Sequence, residues 1–190
     1  MKRRASAVVG IVVVGLGLLA GCSSGGASAD ADYVETGAGR ITIVDPADRK
    51  PAPTLEGEDL AGEPLSTADW EGDVIVLNVW GPWCPPCRKE MPVLKKVSEE
   101  YADQGVQFAG ILNKSSSSNA AAYNKKLGIT YPSFADQGGR LELQFNDSLP
   151  TVAIPTTWII DPQGRVAARI AVDDLTESTL SGLIDDVKVS

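Results

Sequence analysis

The chain has 190 residues, 43% apolar and 22% charged, enough for one domain of ordinary size with a real core plus an appendage. Its net charge of −8 disfavours binding driven by clustered lysine and arginine on phosphates, so nucleic acid is not expected as a partner. There is no histidine, which removes hydrolases with an imidazole base, His-ligated zinc or iron, and imidazole acid/base catalysis.

The chain opens Met-Lys-Arg-Arg, continues through a run from Ala5 to Ala20 that is apolar or small apart from Ser6, and reaches Leu19-Ala20-Gly21-Cys22. This describes an export signal over residues 1–21, too short and wrongly flanked for a permanent membrane span. Leu-Ala-Gly-Cys resembles the lipobox of bacterial lipoproteins, which implies that Cys22 is acylated and becomes the first mature residue. The alternative is an ordinary secretory signal that ends near a cysteine. The protein is expected on the outer face of the cytoplasmic membrane, where disulfides persist. The stretch Ser23–Asp32 is small and polar, so residues 22–38 are expected to form a flexible lipid-anchored tether, and 39–190 the folded domain.

Thr54–Leu65 reads as a short hairpin turning at Ala61-Gly62. Asp73–Trp80 is a near-continuous apolar, β-branched run suited to a strand buried on both faces. Gly81-Pro82-Trp83 breaks that strand. Pro85-Pro86 can then occupy a first helical turn, where their missing N–H groups cost nothing. From Cys87 to about Ala102 the spacing predicts a helix, with Met91, Leu94, Val97 and Tyr101 on one face and a kink at Pro92.

With Cys22 lipidated, Cys84 and Cys87 remain, spaced C-x-x-C. A zinc site would need two more ligands that the chain lacks, and haem attachment would need a histidine where Arg88 stands. A purely structural disulfide over so short a loop would constrain the unfolded chain by less than the ~3 kcal/mol of a 15-residue loop. A redox pair is what remains. Cys84 falls at a helix N-terminus, where unpaired N–H groups and the dipole favour a thiolate, lowering its pKa from ~8.5 to about 7 or below. Cys87, one turn inside and less exposed, is placed to attack the mixed disulfide that Cys84 forms with a substrate. No metal and no cofactor beyond this cysteine pair is expected.

Further on, Val106–Leu112 is a second buried strand, joined in parallel by a right-handed crossover. Ser115–Ser118 is a loop leading into a helix over Asn119–Leu127 with a Ser or Asn cap. Gly139–Phe145 is a short helical piece and Asn146–Ile154 a loop. Thr156–Asp161 and Arg165–Val172 form an antiparallel hairpin placed at the sheet edge, and Leu175–Val187 a closing amphipathic helix.

The segment Trp80-Gly81-Pro82-Trp83-Cys84-Pro85-Pro86-Cys87-Arg88-Lys89-Glu90-Met91-Pro92 resembles the active-site segment of the TlpA/ResA-like branch of the thioredoxin superfamily, membrane-anchored extracytoplasmic thiol-disulfide oxidoreductases. The similarity runs over roughly residues 53–188, through Ile154-Pro155-Thr156-Thr157 and Ile159–Arg165. It implies an α/β, thioredoxin-like three-layer fold: a βαβ unit, then a ββα unit, with an N-terminal β-hairpin and an insertion between the halves, from Leu112 to Pro150.

The resemblance also implies that Pro155 is a cis-proline beside the disulfide, with the backbone at Ile154 free to pair with an extended substrate segment; from the residues alone, a trans proline opening a strand is the alternative. It implies that Glu90, three residues after Cys87 on the same helical face, takes part in the proton chemistry of the cysteines, accepting from Cys87 as a partly buried carboxylate of raised pKa. The alternative is a solvated charge paired with Lys89 or Lys95. Trp83 is read as apolar surface that substrates meet, Trp80 as core. Many members of the family that this segment resembles carry Ala-Thr or Ala-Ser where this chain has Gly81-Pro82.

The expected activity is thiol-disulfide exchange, with the protein acting as a reductase of disulfides in exported proteins, apocytochrome c among them, and kept reduced by a membrane electron donor. Pro85-Pro86 leans reducing within a superfamily whose potentials run from about −270 to about −120 mV. Two other readings stay open. A thiol peroxidase of the same superfamily would show a Pro-x-x-x-Thr-x-x-Cys pattern, and Gly81 stands at the threonine position. A lipoprotein binding module would keep an inert disulfide.

Overall fold

The computed structural model describes residues 32–36 and 39–190. The export signal, Cys22 and most of the expected tether lie outside the described residues. Among the described residues the main sheet has seven strands: β1 (Asp32–Thr36), β2 (Gly39–Ile43), β5 (Val74–Trp80), β6 (Val106–Leu112), β7 (Ser133–Phe134), β8 (Thr156–Ile160) and β9 (Val166–Val172). A separate hairpin pairs β3 (Glu56–Glu58) with β4 (Pro64–Ser66). Three helices complete the chain: α1 (Pro85–Glu100), α2 (Ser117–Leu127) and α3 (Glu177–Lys188).

The sheet order is β1-β2-β9-β8-β5-β6-β7. β5 pairs in parallel with β6 through α1, and antiparallel with β8, so the βαβ and ββα halves meet at β5. The insertion is α2 and β7, which adds a further parallel strand beside β6. β5 is buried at every position, as expected of a run that is apolar apart from Asn78. Val74 and Val76 join Leu94, Val97, Leu180 and Ile184 beneath α1 and α3. Ile75, Leu77 and Val79 turn the other way, into a cluster with Leu55, Phe145 and Trp158 under the hairpin and the short helical turns. Each such side chain contributes on the order of 1.5–3 kcal/mol by leaving water.

Three expectations change. The hairpin of β8 and β9 is not at the edge: β2 pairs with β9 from Gly39↔Val172 to Ile43↔Ala168, and β1 pairs with β2 beyond it. The Arg40-Ile41-Thr42-Ile43 run is strand because β9 offers it a free ladder, with Ile41 and, just beyond the strand, Val44 buried. The folded part therefore begins before Gly39: Asp32–Thr36, assigned to the tether from composition, is held by pairing with β2. Helix α2 begins two residues earlier than expected, because Ser116 caps it by accepting from the Asn119 N–H at 3.3 Å. Elsewhere the expected elements stand within a few residues, including the hairpin turn at Ala61-Gly62, where Gly62 takes φ +88°. Helix α1 continues through Pro92, whose ring lies on the exposed side.

Candidate redox site

Strand β5 delivers the chain to the site, and Gly81-Pro82-Trp83-Cys84 turns it, closed by the Cys84 N–H donating to the Gly81 carbonyl at 3.0 Å. Cys84 is the N-cap of α1 in extended conformation, φ −88° and ψ 111°. The next two residues are prolines with no N–H, so the first amide that the helix can offer is that of Cys87. That amide donates to Cys84 Sγ at 3.2 Å. The Pro-Pro pair thus aims the first free N–H of the helix at the sulfur, where it favours negative charge. Cys84 and Cys87 are joined as a disulfide.

Both cysteines are covered, Cys84 with 2% and Cys87 with 0% of its surface exposed. Cys87 is the less exposed of the two, as the sequence leads one to expect, but Cys84 is covered as well: the loop before β8 lies over it, with the Ile154 carbonyl oxygen 3.7 Å from Cys84 Sγ. The Ile154–Pro155 peptide is cis. What reaches solvent beside the sulfur is Trp83, 48% exposed, together with Pro85. The indole N–H of Trp83 donates to the Asn113 carbonyl at 2.9 Å. Gly81 makes that possible, since a Cβ there would stand 2.4 Å from Trp83 Nε1. Trp80 is core, and its indole N–H donates to Ser133 Oγ at 3.3 Å.

Glu90 is buried, not solvated, and pairs with neither Lys89 nor Lys95; Lys95 meets Glu99 instead, at 2.7 Å. Its Oε1 accepts from Asn78 Nδ2 at 2.7 Å, and the same amide donates to Thr157 Oγ1 at 3.0 Å. Burial drives the Glu90 carboxyl up from 4.5 to about 8, with the Asn78 hydrogen bond pulling partly the other way. Glu90 follows Cys87 by three residues on α1, so the two share a helix face. Burial, and then the nearby Glu90 charge, push the Tyr131 hydroxyl up, and that hydroxyl has no hydrogen-bond partner among the described residues.

The structure brings Trp83, Cys84, Cys87, Ile154 and Pro155 together at one end of β5, with Glu90 below them; Cys22 lies outside the described residues. Sequence reasoning did not single out Asn78, Thr157, Tyr131, Asn113 or Glu142. Asn78 carried a legible signal, a lone amide in a strand otherwise apolar on both faces, which must find a partner when buried. Among the described residues no group of three acidic or cysteine side chains is placed to hold a metal, and no helix is long and apolar enough to cross a membrane.

Comparison with known proteins agrees with this geometry. Residues 49–169 match the model of a family described as AhpC/TSA. The chain is 28% identical over 151 residues to the thiol-disulfide oxidoreductase ResA of Bacillus subtilis, covering 80% of each chain. It is 32% identical over 138 residues to the thioredoxin-like protein YneN of the same organism, covering 70% of this chain and 76% of that one. Among solved structures, a DsbF homologue from Corynebacterium diphtheriae superposes with a TM-score of 0.72 at 32% identity, covering 82% of this chain and 99% of the other. A secreted thiol-disulfide isomerase from Corynebacterium glutamicum gives 0.67 at 30% identity, covering 76% and 92%. With a thioredoxin-like sheet, a cis-proline and a bonded C-x-x-C at the start of α1, the chain belongs to the AhpC/TSA family and, within it, to the ResA-like thiol-disulfide oxidoreductases.

Proposed function

We propose that this oxidoreductase works outside the cytoplasmic membrane, anchored by an acylated Cys22, as a reductase of disulfides in exported proteins, with apocytochrome c cysteines among its substrates and a membrane electron donor restoring its thiols. Cys84 attacks the substrate disulfide. Cys87 then resolves the mixed disulfide, and Glu90 takes its proton. Trp83, Ile154 and Pro155 receive the substrate chain. The observation that carries the reading is the placement of Glu90, a buried carboxyl one helical turn from Cys87. In a chain without histidine it is an acid poised near neutral pH at the cysteines.

The same group supports the reducing direction. An oxidant of this fold owes its potential to a stabilised thiolate, whereas a buried carboxyl that stays largely neutral near pH 7 brings no positive charge to stabilise one and, once ionised at higher pH, opposes it, so the disulfide is favoured. Equilibration with glutathione tests this: a midpoint near the −270 mV typical of thioredoxin, within about 40 mV, is expected, and one near −120 mV would make the protein an oxidant. For the location, a secreted relative at 30% identity and the Leu-Ala-Gly-Cys segment give support. Palmitate labelling that disappears in Cys22→Ser is the expected result.

A peroxidase reading draws on the family description, yet Gly81 occupies the position where that chemistry has threonine. Peroxide consumption by purified protein decides it. An inert disulfide is excluded if Cys84 alkylates with iodoacetamide after mild reduction at neutral pH.

A further inference from the structure

Below the indole of Trp83 lies a second buried polar group that the thiol chemistry does not use. Asn113 follows β6 directly, is 2% exposed, and extends the ladder by donating its N–H to the Trp80 carbonyl at 2.9 Å. Its own carbonyl receives the Trp83 indole N–H. Its side-chain Nδ2 donates to Glu142 Oε1 at 2.9 Å. Glu142 opens the short helical turn Glu142–Asp147, held in place by Asp136, whose carboxylate accepts from the Arg140 and Leu141 N–H groups at 2.9 and 2.7 Å. Gly139 lets the acid come in: its φ is +67°, and a Cβ there would stand 2.9 Å from Glu142 Oε1 and 3.3 Å from Asn113 Nδ2.

The accounting of donors is incomplete at this pair. Asn113 Oδ1 and Glu142 Oε2 are both buried, and neither has a hydrogen-bond partner among the described residues. Two orphaned buried acceptors on one amide–carboxyl pair are costly. A single proton on Glu142 Oε2 would supply a donor that Asn113 Oδ1 lacks and, with the bond from Asn113 Nδ2 to Oε1, would complete a cyclic acid–amide pair. The charged groups bearing on Glu142 agree with a held proton: after burial, Asp136 acts in the same direction, opposed by the Asn113 hydrogen bond and by Lys114. Arg140, two residues earlier, is exposed.

We propose that Glu142 is a positioning residue of the redox site: in its protonated form it closes a two-bond ring with Asn113, and this ring holds the Asn113 carbonyl against the Trp83 indole beside Cys84. Ionisation of Glu142 opens the ring, leaves a carboxylate facing an amide oxygen, and frees the indole. The proposal deepens the substrate-docking role given to Trp83 above and rests on it for its effect on substrates, but not for the contact itself.

The test follows the Trp83 indole N–H of the full chain by NMR, assigned by its loss in Trp83→Phe, across pH 4 to 9. In the wild-type protein its shift is expected to titrate once, with hydrogen exchange roughly fivefold faster on the high-pH side after correction for intrinsic exchange, the size of one ordinary hydrogen bond. Glu142→Gln carries a permanent donor in the same place, so it should keep the low-pH signal and protection throughout. Glu142→Leu should show the fast-exchanging form at every pH. The proposal is overturned if Glu142→Gln titrates as the wild type does, or if Glu142→Leu keeps wild-type protection. Substrate rates separate the two layers. If Trp83→Ala reduces a protein disulfide as fast as wild type while the NMR coupling stands, the docking role fails and the positioning survives.

Discussion

Asn78 on β5 and Glu90 on α1 are joined across the core by a 2.7 Å hydrogen bond, and this contact settles how the acid of the site is held. The amide spends its second N–H on Thr157 Oγ1, so β5, β8 and α1 meet at one buried polar node under the disulfide. The Asn78 Oδ1 has no hydrogen-bond partner among the described residues.

Glu90 should make stability depend on pH in an unusual sense. Its folded pKa of about 8 lies above its ordinary 4.5, so the native state holds the proton more tightly than the unfolded chain does. The stabilising contribution is complete below about pH 4.5 and is lost as pH rises toward 8, by at most about 1.4 kcal/mol per unit. Glu90→Gln, neutral throughout, should lack this decline. Urea midpoints of both oxidised proteins at pH 5 and pH 8 check it; parallel changes would show that Glu90 ionises normally.

Asn78→Leu removes the hydrogen bond that favours ionised Glu90, so the carboxyl should titrate still higher than in wild type. Carbon-detected NMR of the Glu90 carboxyl reads this directly. An unchanged or lowered titration would contradict the assignment of Asn78 as the donor that matters.

The two cysteines should fail differently. Cys87→Ser should accumulate a mixed disulfide between Cys84 and a model disulfide, while Cys84→Ser should form far less, since the first free amide of the helix points at the Cys84 sulfur and favours a thiolate there. Mass spectrometry under non-reducing conditions distinguishes them, and the reverse pattern would exchange the two roles.

Gly81→Ala places a Cβ 2.4 Å from Trp83 Nε1 and 3.0 Å from the Asn113 carbonyl oxygen. The indole must leave its hydrogen bond, and stability should fall by about 1–3 kcal/mol, the usual range for overpacking. Thermal unfolding measures the loss. A variant as stable as wild type, with its indole proton still protected, would show that the turn adjusts without strain.

Asp161 ties the β8–β9 turn to the segment before the hairpin: its carboxylate accepts from the Gln163 and Arg165 amides, from the Arg165 guanidinium and from Arg49. Burial pushes this carboxyl up, but the backbone and guanidinium hydrogen bonds outweigh it and hold it below its ordinary 3.8. Its contribution is present above pH 3.8 and is lost as pH falls through the lower folded value. Asp161→Ala leaves Arg49 buried without this carboxylate and should cost about 3–5 kcal/mol at pH 7. Chemical denaturation at pH 7 and pH 3 should show the difference from wild type shrinking in acid.

Local chemistry explains which elements could be read in advance. β5 and β6 are near-continuous apolar runs, α1 carries its apolar residues at helical spacing, and Pro85-Pro86 fit a first helical turn, where their missing N–H groups cost nothing. β1 and β2 escaped because their ladder depends on partners far along the chain: Ile41 faces Ile170, and no local pattern reports that. The polar residues around the site escaped for the same reason. Asn78 and Glu90 are 12 positions apart, Asn113 and Glu142 are 29 apart, and each pair is joined only once the sheet has formed.

By itself, the order of residues determined the redox pair, the cap that activates it, the absence of imidazole chemistry and the helix that carries Glu90, since all of these follow from neighbours within a turn or a strand. Tertiary structure alone decided that Glu90 is stripped of water, that the Ile154 loop covers Cys84, and that the Trp83 indole is pinned to Asn113. Desolvation and hydrogen-bond partnership are properties of a folded interior, where groups distant in sequence exclude water from one another, and they come into being only with it.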